Sequence, residues 1–167
     1  KSYEKIDFSD FKSIKFDYKY PTPFTFNFVD VNEIMEMNPD DYPDISDLIK
    51  EIQSWDRSTN SDSLGAGIFA IFYYNLGKYI RKPYINRNLS KNLIAQMLRD
   101  VKAYMIKHFN KTNVRLGEYQ KLVRGDKEIP IWGMPDVITA MTSSRHIGGK
   151  RKITHGESYI QLVKFSN

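Results

Sequence analysis

Apolar positions recur at helical spacing through most of the first two-thirds of the chain and at strand spacing after it. Ile14, Phe16, Tyr18 and Tyr20 alternate with Lys15, Asp17 and Lys19, which predicts an extended segment ending at Pro21. Thr22-Pro23 then reads as a helix start, with Phe24, Phe28, Val31 and Met35 following at helical intervals. Asp40-Asp41-Tyr42-Pro43 interrupts it. Asp44 or Ser46 is placed to cap a second helix, whose stripe is Ile45, Leu48, Ile49, Ile52 and Trp55. A third helix is expected after Asn60, with Ser61 and Asp62 in its first turn and Leu64, Ile68, Phe69, Phe72, Leu76 and Tyr79 along it. It is apolar nearly all round from Leu64 to Tyr74, so it should be the central, buried helix. The fourth runs from about Ser90 to His108, with Leu93, Ile94, Met97, Val101, Tyr104 and Met105 inward.

After Asn113 the period changes. Val114 to Val123 and Glu128 to Trp132 flank Arg124-Gly125-Asp126-Lys127, a hairpin signal. Val137 to Thr142 is a short extended run, Ile147-Gly148-Gly149-Lys150 a turn, and Glu157 to Phe165 a last strand. Strands grouped after helices predict an α+β fold, helical in its first two-thirds and followed by antiparallel strands. The expected organisation is a single unit over 1–167, mainly helical over 1–112 and mainly β-hairpin over 113–167.

Composition narrows the chemistry. The 167 residues are 41% hydrophobic and 14% aromatic, as in a globular protein. Zero cysteine excludes a disulfide framework, Cys-ligated zinc and thiol catalysis. No apolar run reaches the ~18 residues of a membrane span, so no membrane partner is expected. The net charge is +5, with 17 lysines among the 25 cations and acids scattered between them, a distribution that reads as solubility.

Four constellations could carry chemistry. His108 falls in the last turn of a helix, where a donor meets exposed carbonyls. His146 and His155 flank the Gly-Gly turn and are spaced to approach one another across a hairpin, yet no carboxylate stands at ligand spacing, so no metal is expected. Arg145, His146, Lys150, Arg151 and Lys152, with Tyr159 near, form the one dense basic cluster. It could be cast as a phosphate-gripping hairpin with a stacking platform, but with no recognised nucleic-acid module in the chain it reads instead as a solvated tip whose lysines keep an edge from pairing, and no nucleic-acid partner is expected. Arg124-Gly125-Asp126 is a turn composition. Trp55-Asp56-Arg57 with Ser61-Asp62-Ser63 reads as a helix-to-helix corner, its acids and hydroxyls satisfying first-turn amides and Asp56 and Arg57 positioned to pair locally. No HExxH, phosphate loop, dinucleotide fingerprint or Gly-x-Ser-x-Gly elbow occurs, and no cofactor is implied.

Three segments, taken in order, resemble the later part of the β chain of the penicillin acylase family, which includes acyl-homoserine lactone acylases among the N-terminal nucleophile hydrolases. Trp55 to Asn60, continuing through Ser61-Asp62-Ser63-Leu64-Gly65-Ala66, is similar to the family's Trp-Asp corner and Asp-Ser-x-Gly-Ala helix start. Leu116-Gly117-Glu118-Tyr119 through Arg124-Gly125-Asp126 to Ile129-Pro130-Ile131 and Gly133 resembles its Gly-Asp/Glu hairpin followed by Leu-Pro and glycines. Gly156-Glu157-Ser158-Tyr159 to Phe165 is similar to its Gly-Asp-Ser-Tyr strand.

The resemblance implies part of an αββα-type catalytic domain. Such enzymes attack an amide carbonyl with the serine that opens the β chain, its own α-amino group taking the proton. A backbone amide and an asparagine hold the developing negative charge. All of these, with a supporting arginine, are expected before Lys1, and the closing Gly-x-Ser-Gly and His-Tyr segment after Asn167. Ser2 lacks the matching context. The expected reading is therefore a fragment with no catalytic residue of its own and open strand edges that favour self-association. Its partners would be the remaining α- and β-chain segments of a periplasmic or secreted acylase. The parent would deacylate an N-acylated small molecule, either a β-lactam side chain or a fatty-acyl homoserine lactone. The alternatives are a stand-alone basic domain binding RNA or an acidic partner through 145–152, and a non-catalytic interaction domain on the same scaffold.

Overall fold

The computed structural model describes residues 6–22, 25–26, 29–79, 87–135, 137–138, 141–156 and 161–165. Helices α1 (Phe8–Lys15), α2 (Ser46–Ser54), α3 (Leu64–Asn75) and α4 (Lys91–Phe109) come first, and the short α5 (Leu116–Tyr119) leads into the main sheet. That sheet holds β4 (Gln120–Arg124), β5 (Lys127–Pro130), β6 (Met141–Arg145) and β7 (Arg151–Gly156) in the order β5-β4-β7-β6. A smaller sheet joins β1 (Thr25–Phe26), β2 (Val29–Asp30) and β3 (Arg87–Asn88). The architecture is α+β.

The predicted apolar stripes build the core. Ile45, Leu48, Ile49, Ile52 and Trp55 of α2 and its end are all buried. So are Ile94, Met97, Val101 and Met105 of α4. Between them lies α3, buried without interruption from Gly65 to Phe72, as its all-round apolar surface requires. β-Carbons at Gly65 and Gly67 would overlap the Trp55 ring and the Val114 carbonyl oxygen respectively, so α3 reaches both neighbours only because these positions are bare.

Helix ends differ from the expected ones in instructive ways. α3 starts at Leu64, and Ser63 is its cap, accepting from the Ala66 amide at 3.0 Å. Ser61 and Asp62 lie outside the helix because their carbonyls are used elsewhere: Ser61 accepts from the Gly117 amide and Asp62 from the Arg115 guanidinium, both at 2.7 Å. Ser63→Ala should therefore cost ~1 kcal/mol and Ser63→Gly only a few tenths, measured by denaturant titration. Neither Asp44 nor Ser46 caps α2; Ile45 occupies the cap position without a side-chain bond, and Asp44 pairs instead with Arg99 at 2.6 Å. α4 is capped by Ser90 and closed by Asn110 in the left-handed region, φ 56°.

Three expected elements are different. The alternating segment 14–20 is not one strand, because Ile14 belongs to α1 with Phe8 and Phe11. Only Lys19 makes a bridge, to Ser58. The alternation holds from Phe16 to Tyr20, with Phe16 and Tyr18 half-buried, Asp17 and Lys19 exposed and Tyr20 buried, and fails only at Ile14. In place of a helix over 24–35 there are β1, β2 and a 3-10 turn at Asn32–Glu36, since β2 finds strand partners on both sides, β1 and β3; Pro23, Phe24 and Phe28 lie outside the described residues. Of Val114 to Val123, the first part forms α5, whose Glu118 carboxylate reaches back to the Arg115 amide at 2.9 Å. The strand expected over 157–165 falls largely outside the described residues, as does Tyr159, and 161–165 form no strand.

Both expected hairpins are present: β4–β5 closes through a two-residue loop with Gly125 at φ 58°, and β6–β7 through the Gly148-Gly149 turn. They are antiparallel, whereas β4 and β7 meet in parallel, Gln120 opposite Arg151, making the sheet mixed. Its edges are β5 and β6. Gln120 is the only buried residue in its four strands, a very thin cover for a sheet.

Candidate functional site

The Trp55-to-Ser63 corner is a knot of hydrogen bonds. The Trp55 indole donates to the Ser58 carbonyl at 2.9 Å, and the ring stands against Tyr20 and Phe69. Asp56 accepts from the Ser58 amide at 2.9 Å and from Lys19 at 2.8 Å. Arg57, in the left-handed region at φ 64°, donates to the Pro21 carbonyl at 2.6 Å and the Thr22 hydroxyl at 2.9 Å. The expected local Asp56–Arg57 pair is thus replaced by two bridges to the 18–22 segment, because the left-handed turn at Arg57 aims the two side chains at different partners. Buried Thr59 donates to the Tyr18 carbonyl and accepts from the Gly133 amide. Two of these bonds, from the Trp55 indole and to Asp56 from the Ser58 amide, brace the corner itself, and the rest tie it to 18–22 and to Gly133.

The histidines do not form a pair across the hairpin. His155 is in register with Thr142 at one end of β6–β7, while His146 sits at the turn end, 3.5 Å from Glu128. His108 lies where expected, in the last turn of α4, and the turn packs on it. A β-carbon at Gly149 would overlap the His108 ring. Among the described residues no group of three or more His, Asp or Glu side chains is placed to hold a metal.

The basic cluster is divided rather than displayed. β7, which carries Arg151 and Lys152, is an interior strand, so these cations do not guard an edge. Lys150 is pinned by Glu128 at 2.5 Å. The Arg151 guanidinium lies 3.5 Å from the centre of the Tyr74 ring and donates to both the hydroxyl and the carbonyl of Ser143. The stacking aromatic is Tyr74, from α3.

Arg145, His146, Lys150 and Arg151 line one side of a cleft of about 540 Å³. The facing side comes from α4, through Asp100, Tyr104, Lys107 and His108, and the far wall from Tyr74, Asn75 and Lys78, with Tyr119 also lining it. Tyr104 donates to the Gly149 carbonyl at 2.6 Å and fastens hairpin to helix. Burial raises the Tyr104 and Tyr119 phenols above the usual tyrosine range, against the pull of Arg151. Tyr79, just behind, is pushed up to about 12 by burial and by its hydrogen bond to Asp100. The cleft was not legible in the sequence. The basic cluster 145–151 and the spacing of Tyr104, Lys107 and His108 on one helix face supplied its two walls, but nothing in the sequence placed them opposite one another.

The exposed carboxylates carry a pH signature. The lysine hydrogen bond from Lys150 holds Glu128 below its ordinary range, and those from Lys19 and Arg99 do the same for Asp56 and Asp44. A carboxyl with a depressed folded-state pKa binds protons more readily when unfolded, so its contribution is complete above the unfolded value and lost as pH falls toward the folded one. The melting temperature should be flat near neutrality and fall from about pH 4 downward; a scan in dilute buffer checks this.

Comparison with curated proteins finds no match. A family model described as penicillin amidase matches residues 1–167, taking in the corner, α5, both hairpins and the cleft between α4 and the β6–β7 hairpin. By that match across its whole length, the chain belongs to the penicillin amidase family.

Proposed function

We propose that the chain is an internal part of an amide hydrolase that removes the acyl group from an N-acylated small molecule. Its reactive serine and charge-stabilising groups would be contributed by sequence outside 1–167. The family match over 1–167 carries the reading. The substrate is a β-lactam side chain or a fatty-acyl homoserine lactone, and the enzyme works outside the cytoplasm. No helix among the described residues is long and apolar enough to cross a membrane. Within that enzyme the helical part, 1–112, acts as wall and scaffold, and the β part, 113–167, joins a larger sheet with neighbouring segments of the α and β chains.

Two features support a structural role. The Trp55, Asp56, Arg57 and Thr59 side chains of the corner are spent on fastening the chain. The main sheet buries only Gln120 among its strand residues, and Phe8, Phe11, Ile129 and Phe165 stand exposed. These are surfaces a larger body would cover. The 167-residue chain alone should therefore self-associate in light scattering and leave N-acyl substrates intact, while the full-length protein hydrolyses a chromogenic N-acyl anilide or a fatty-acyl homoserine lactone. Amide hydrolysis by the isolated chain, or its behaviour as a clean monomer, would overturn the assignment.

A further inference from the structure

We infer that the cleft between α4 and the β6–β7 hairpin is a binding site for a small ligand bearing a carboxylate or phosphate group, held by Arg145, Lys107 and Arg151.

Charge is the first reason. Five Lys or Arg side chains and one carboxylate, Asp100, line the cleft. Asp100 is already engaged by the Tyr79 hydroxyl at 2.5 Å, with Lys78 3.8 Å away, and Lys150 is neutralised by Glu128. Arg145 and Lys107 have no carboxylate partner among the described residues. The carbonyls that end α4 explain a cation at Lys107. They do not explain Arg145 and Arg151, which arrive from the opposite wall on a separate hairpin.

Arrangement is the second. Arg151 is fixed before any ligand arrives, its plane on Tyr74 and its edge on Ser143. Its bonds to Ser143 and to the Tyr119 hydroxyl still leave donors of the guanidinium fork, the geometry that suits a two-oxygen anion. The hairpin is itself held at the helix by Tyr104 and by the close fit of Gly149 on His108. Because burial keeps the Tyr104 and Tyr119 phenols protonated through neutral and mildly alkaline pH, they add no negative charge to the wall. A volume of about 540 Å³ lies within the range of small-molecule pockets.

The test is calorimetric titration of the full-length protein carrying this chain, at low ionic strength, with inorganic phosphate and separately with citrate. Saturable binding of either is expected, with phosphate alone marking a phosphorylated ligand and citrate alone a polycarboxylate. Arg145→Glu and Lys107→Glu should each weaken it at least tenfold, while Lys12→Glu on α1, outside the cleft, leaves it unchanged. Melting curves identify any variant that fails to fold, and Arg145→Gln then replaces Arg145→Glu. Absence of saturable binding for both probes, or equal binding in the folded cleft variants, would overturn the inference.

Discussion

Gly67→Ala should destabilise the protein by about 2–3 kcal/mol, although alanine is the better helix former by ~1 kcal/mol. The added β-carbon would land on the Val114 carbonyl oxygen, with the Arg115 carbonyl carbon and Leu116 amide close behind. Backbone cannot rotate away as a flexible side chain can. The 114–117 segment is also held by Leu116 and Gly117 donating to the carbonyls of Ser63 and Ser61. Relief must therefore come from parting α3 and α5, which opens the centre of the core. Urea denaturation measures the effect; an unchanged midpoint would mean that α3 does not approach α5 as described.

Trp55→Ala should cost more, about 3–5 kcal/mol. The side chain is 8% exposed, packs on Tyr20 and Phe69, and its indole satisfies the Ser58 carbonyl in the left-handed corner. Trp55→Phe separates the contributions: it retains most of the apolar contact but loses the donor, leaving a buried carbonyl unpaired at a cost of about 1–3 kcal/mol. Fluorescence during unfolding reports the same site, since Trp55 is buried while Trp132 is 38% exposed. A Trp55→Ala protein that melts with the wild type would show the corner to be dispensable.

The helices α2 and α4 were legible because each buries a continuous stripe, which writes a period into the sequence, and α3 because burial on every side writes an unbroken apolar run. The hairpin turns were legible for a related reason: Gly125, Gly148 and Gly149 occupy positive φ. Where reading failed, the competing force was non-local. The 24–35 stretch carries both a helical spacing and strand propensity, and Val29–Asp30 pair with Thr25–Phe26 on one side and, on the other, with Arg87–Asn88 some sixty residues later. Ser61 and Asp62 look like first-turn residues until α5 takes their carbonyls. His146 and His155 are near in sequence, but the hairpin register holds them at opposite ends.

Written in the residues themselves were the α-before-β order of elements, the inward stripes of α2 and α4, the buried run of α3 and, through the corner, hairpin and strand motifs, the family. Tertiary structure alone decided the parallel junction of β4 with β7, the partners of Asp56 and Arg57, and the division of the basic cluster. One part of that cluster is tied down by Glu128, Ser143 and Tyr74, and another, with Lys107, faces a cleft. The physical reason is range. Burial and turn strain act on a residue and its near neighbours, so they leave a local imprint. Strand pairing, ion pairs and cavity walls depend on which distant segments meet, and no local pattern records that meeting.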